Sequence, residues 1–122
     1  MEKDIIGVSV LERAVPKFSS KELDKLWKHL KLCGYNCIAF RRCSPEGIYD
    51  QIRVYDDVSG DEVLEPDWDA ICFYGSYGYE EGLLEIYGNI VDLDKDGDSV
   101  VGHLTAADIM ERLRLYEKEK TK

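Results

Sequence analysis

Leu23, Leu26, Trp27, Leu30 and Cys33 recur at the spacing of a single helical face, and this stripe constrains the fold more than any other feature of the chain. A helix with one apolar stripe buries it against a second layer. Ser19, with Glu22 three residues on, reads as a capping box that starts the helix, and Gly34 is placed to end it. The second layer is written in the segments that alternate with period two. Asp4 to Glu12 is the first of these, with Ile6, Val8 and Val10 on one side, ended by Arg13-Ala14-Val15-Pro16. Tyr35 to Cys43 and Ile48 to Asp56 form a predicted hairpin through Ser44-Pro45-Glu46-Gly47, with Ile48, Ile52 and Val54 inward and Tyr49, Arg53 and Tyr55 outward. Val63-Leu64 and Asp69 to Tyr74 are apolar enough for strands, although Asp67 is equally placed to cap a short helix. Leu83 to Val91 and Ser99 to Leu104 make a second predicted hairpin across an Asp/Gly-rich turn.

Thr105 and Asp108 open the last helix, with Ile109, Met110, Leu113 and Tyr116 as its buried stripe; residues 115–122 read as a frayed helix end or disordered tail. The expected fold is α+β, in the order strand, helix, several strands, helix. It is an antiparallel sheet of about five or six strands with two helices packed on one face. The 122 residues, 44% of them hydrophobic and 34% charged, suit one globular domain spanning 1–122. No window approaches the roughly 20 apolar residues of a membrane span, and Met1-Glu2-Lys3-Asp4 lacks the order of a signal peptide, so the expected location is cytoplasmic.

Charge is segregated along the chain. The net charge is -9, yet residues 1–42 hold nine Lys/Arg against five Asp/Glu and residues 110–122 hold five against three. Residues 43–109 carry only Arg53 and Lys95 against 17 acids, a balance of -15. Such a field repels nucleic acid and anionic membrane and steers a basic partner. Lys21, Lys25, Lys28 and Lys31 form a basic stripe followed by Arg41 and Arg42, read as a solvated helix face supported by an Asp24 to Lys28 pair.

Catalytic signatures are lacking: there is no nucleophile elbow, HExxH, P-loop or dinucleotide fingerprint, and His29 and His103 have no evident partner in sequence. The chain is therefore expected not to be an enzyme and to need no cofactor. Asp92-Leu93-Asp94-Lys95-Asp96-Gly97-Asp98 begins like an EF-hand loop, but the twelfth position is His103 and a strand precedes it. It is read as a solvated hairpin turn with no metal site expected, Asp92, Asp94, Asp96 and Asp98 being the acids that would hold a cation if one bound. Cys33, Cys37, Cys43 and Cys72 lack paired knuckle spacing and are expected as reduced core thiols.

Tyr74-Gly75-Ser76-Tyr77-Gly78-Tyr79 has the composition of a recognition loop, in which tyrosine gives rigid contact area and glycine and serine adapt the backbone. Glu80 and Glu81 follow it and exclude a phosphate cradle. The expected partner-binding set is Asp56, Asp57, Asp61, Glu62, Glu65, Asp67, Asp69, Tyr74, Tyr77, Tyr79, Glu80 and Glu81. The expected partner is a basic, nucleic-acid-binding protein, with no direct contact to nucleic acid or membrane. Such a module would act as a stoichiometric inhibitor: a phage or mobile-element anti-defence protein, for example an anti-CRISPR or nucleic-acid mimic, or a toxin-immunity protein. Two other classes stay open: a small metal-dependent enzyme or regulator using Asp92 to Asp98 with His103, and a housekeeping interaction subunit.

Overall fold

The computed structural model describes residues 17–45, 47–55 and 65–120. The expected strand at Asp4 to Glu12 and the Val63-Leu64 segment lie outside them. Helix α1 spans Lys21–Leu32, followed by strands β1 (Asn36–Ser44), β2 (Gly47–Tyr55), β3 (Trp68–Cys72) and β4 (Leu84–Gly88). A single helical turn α2 (Leu93–Asp96), strand β5 (Val100–Leu104) and helix α3 (Ala106–Lys120) complete the order.

The five strands form one antiparallel sheet in sequential order, β1 to β5, so each strand is paired with its neighbour in the chain. Helices α1 and α3 cover one face, and the core lies between layers. Leu23, Leu26, Trp27 and Leu30 of α1 and Ile109 and Leu113 of α3 meet Ala39, Ile52, Val54, Trp68, Ala70, Leu84 and Ile86 of the sheet. This is the α+β arrangement expected from the alternating segments, and the ambiguous stretch at Asp69 resolves as a strand.

The N-cap of α1 is Ser20, not Ser19: its hydroxyl accepts from the backbone N–H groups of Glu22 (3.1 Å) and Leu23 (3.4 Å). The Glu22 carboxylate leaves the predicted box and instead accepts from the Ala106 N–H at 2.7 Å, joining the starts of the two long helices. Past the C-cap Cys33, Gly34 takes φ +83°, its N–H reaching Lys31 O at 3.1 Å while Tyr35 N–H reaches Leu30 O at 3.0 Å. That is the Schellman closure. Cys33, at the C-cap, is exposed and not part of the buried stripe, whereas Cys37 and Cys72 are buried. Burial pushes the Cys37 thiol up to about 11. Asp24 also departs from its expected pairing with Lys28, accepting from Phe18 N–H at 2.8 Å.

The β1–β2 hairpin pairs Ser44 with Gly47 and so sets Arg41 opposite Asp50. Asp50 lies on the core face, where the alternation predicted only apolar residues, and is fully buried. Its carboxylate takes Arg41 Nε at 2.7 Å, Arg41 Nη2 at 3.0 Å and the Ser19 N–H at 2.7 Å. Ile48, at the start of the strand, is exposed instead, and Tyr55, expected outward, is buried beside Ile38 on the face away from the helices. Helix α3 begins as expected, with Thr105 Oγ1 accepting from Asp108 N–H and Asp108 from Thr105 N–H. It runs to Lys120, with Tyr116 packed against the core and Tyr35 Oη donating to Glu117 at 3.2 Å.

Candidate partner-binding loop

Residues 73–83 connect β3 to β4 and carry the tyrosine and glycine segment. Ser76 shapes its first half: its hydroxyl accepts from Phe73 N–H (3.0 Å) and donates to Phe73 O (2.7 Å). A three-residue 3-10 turn, Tyr79–Glu81, shapes the second half, flanked by Gly78 at φ +97° and Gly82 at φ +74°. These left-handed positions are where side chains with a Cβ are strained. The loop is tied to the body from three sides. Tyr77 N–H donates to Glu85 Oε1 (2.8 Å), His103 N–H donates to Tyr77 O (3.1 Å), and Ser20 Oγ donates to Gly82 O (2.7 Å). Gly78 packs against the His103 backbone so closely that a Cβ would meet its Cα at 2.9 Å.

The result is a rigid platform. Tyr74 and Tyr77 stand 62% and 55% exposed, Tyr79 packs inward against the core, and the Tyr74 and Tyr79 rings meet edge to face at 6.2 Å. With Glu80, Glu81 and His103 they line a shallow depression of about 400 Å³. Both glutamates are exposed, and no ion pair to either occurs among the described residues. His103, which has no evident partner in sequence, lies beside this loop. Its φ of +59° belongs to a β-bulge between β4 and β5, which turns it toward the tyrosines. The alternation of β5 carried no sign of that bulge.

Among the described residues, the other acids of the expected set do not join this platform. Asp56, Asp57, Asp61 and Glu62 lie outside the described residues. Glu65 and Asp67 precede β3, at the opposite end from Tyr74 of that five-residue strand, itself roughly 17 Å long at ~3.4 Å per residue. Asp69 is on the sheet face away from the helices, held by Gln51 Nε2 at 2.6 Å, and burial raises its carboxyl above the ordinary range. Tyr49 meets Phe73 edge to face at 4.9 Å with Arg42 over its ring, and Tyr55 is buried, so neither is a free contact. The basic stripe is partly engaged too, Lys31 lying over the Trp27 ring at 4.9 Å.

The Asp92 to Asp98 segment is a capped helical turn. Asp92 Oδ1 accepts from Asp94 N–H and Lys95 N–H, and Asp96 Oδ2 accepts from Asp92 N–H and from Arg112 Nη1, both at 2.8 Å. The Arg112 guanidinium holds the Asp96 carboxyl below the usual range. His103 lines the tyrosine depression and not this turn. Among the described residues no group of three His, Cys, Asp or Glu side chains is placed to hold a metal ion. No described helix is long and apolar enough to cross a membrane. Compared with known proteins, the chain matches no family model, no curated protein and no solved structure.

Proposed function

We propose that the chain is a non-catalytic protein-binding module, acting as a stoichiometric inhibitor or neutraliser of a basic, nucleic-acid-binding protein. The observation that carries this reading is the pair of exposed tyrosines, Tyr74 and Tyr77, set beside two exposed carboxylates on a loop already locked by hydrogen bonds. Aromatic anchors flanked by charge are what dominate binding energy at interfaces, and a preformed loop loses little entropy on docking. Glu80 and Glu81 pair with Lys or Arg of the partner, and the overall -9 draws that partner in. An anti-defence protein directed at a nucleic-acid-binding host effector and an immunity protein directed at a nuclease toxin share this physics. The split between Glu65 and Asp67 on one side and Glu80 and Glu81 on the other favours a compact contact site over an extended phosphate-like array.

The experiment is affinity capture from the source cell at low and moderate salt, with the wild-type chain beside Glu80→Lys/Glu81→Lys. The reading expects one basic protein whose capture weakens with salt and drops about tenfold or more in the double variant, mainly through slower association. Equal capture by both chains contradicts it.

A further inference from the structure

A second surface lies along α3, in a groove of about 880 Å³ between that helix and the segment 89–96. Ile90, Val91, Leu104 and Tyr116 contribute its apolar lining. Leu93 and Leu115 rise at its margins with 64% and 49% of their surface in solvent, an arrangement unlike that of a satisfied core. Five carboxylates, Asp92, Asp96, Asp108, Glu111 and Glu119, surround the apolar strip against two cations, Lys95 and Arg112. Arg112 is spent on Asp96 and on Ile90 O, and Glu111 pairs with Arg114. Asp92, Asp108 and Glu119 have no ion pair among the described residues.

From Asp108 to Glu119 the α3 wall extends about 16 Å at 1.5 Å per residue, or three turns. This wall belongs to a helix, not a sheet edge, so its backbone donors are already used and side chains alone must recognise the occupant. An apolar strip of that length with an acidic border matches the helix-in-groove mode of recognition. We infer that the groove seats a three-turn amphipathic helix of a partner protein, with apolar residues at i, i+3/i+4 and i+7 and Lys or Arg on its flanks. Leu93 and Leu115 are the anchors' contacts, and Asp92, Asp108 and Glu119 pair with the flanking cations. This surface is separate from the tyrosine loop and does not depend on it.

The test uses a fluorescein-labelled synthetic 14-residue peptide with leucines at that spacing and lysines elsewhere, followed by fluorescence anisotropy against the full chain. The expected result is saturable binding that weakens about tenfold for a same-composition scramble and about tenfold for Leu93→Ser/Leu115→Ser. Glu119→Lys weakens it severalfold, and Glu80→Lys/Glu81→Lys, on the other surface, leaves it unchanged. Equal binding of the scramble, or indifference to both groove variants, overturns the inference. Light scattering showing a dimer that the double serine variant abolishes overturns it in favour of a second copy as occupant.

Discussion

Asp50 and Asp69 are two carboxylates taken from water on opposite faces of one sheet, and their surroundings treat the charge differently. Asp50 receives a bidentate guanidinium and a backbone N–H. Removing it leaves Arg41 and the Ser19 N–H without that acceptor, so Asp50→Ala is expected to cost about 2–4 kcal/mol in urea unfolding, below the full value because Arg41 is partly solvated. Asp69 is the reverse case. Burial is the largest influence on it and raises its pKa; the Gln51 hydrogen bond and Arg53 oppose that rise. A carboxyl whose folded pKa lies above its unfolded value is destabilising when ionised. The penalty is complete above the folded pKa and disappears as pH falls below the unfolded value of ~3.9. Asn retains an acceptor for Gln51, so Asp69→Asn should match or exceed wild-type stability at pH 7 and converge with it near pH 3. A loss above ~1 kcal/mol at pH 7 would show that the charge supports the fold. The Asp50 pair was within reach of sequence reasoning, because a hairpin closing Ser44 on Gly47 puts residue 41 opposite residue 50. The burial of Asp69 was not, since alternation assigns a face but says nothing about what covers it.

At the scale of elements, the helices and strands were legible because their periodicities are local. The caps were legible only where both partners are local. Thr105 and Asp108 bond each other as their spacing implies. Ser19 and Glu22 do not, because Glu22 is drawn to Ala106, 84 residues away, and the cap passes to Ser20. The two serines are therefore expected to separate on mutation. Ser20→Ala should destabilise by about 1–2 kcal/mol, losing both the cap and the bond to Gly82 O, whereas Ser19→Ala should change stability by less than ~0.5 kcal/mol. Guanidinium unfolding of the two variants decides it, and equal costs would return the cap to Ser19. The β-bulge that carries His103 to the tyrosines belongs here too: Gly102 lies directly against Tyr77, a contact no strand pattern encodes.

At the scale of the whole molecule, the charge segregated along the chain is not segregated in space among the described residues. The acidic middle of the sequence supplies strands that run end to end through the sheet, so its described acids reach both poles and the face away from the helices. The tyrosine loop was visible from composition, yet its neighbours were not: Glu85 and His103 arrive from β4 and β5 through sheet pairing. The two poles consequently differ in character, one with rigid aromatics beside Glu80 and Glu81, the other with an acidic apolar groove.

The most direct measurement is hydrogen exchange of the chain alone and in complex with its captured partner. Protection concentrated in residues 73–83 on binding, with strands β1 and β2 unchanged, is the predicted outcome. A complex that leaves the amides of 73–83 exchanging as they do in the free chain would contradict the assignment of that loop as the contact surface.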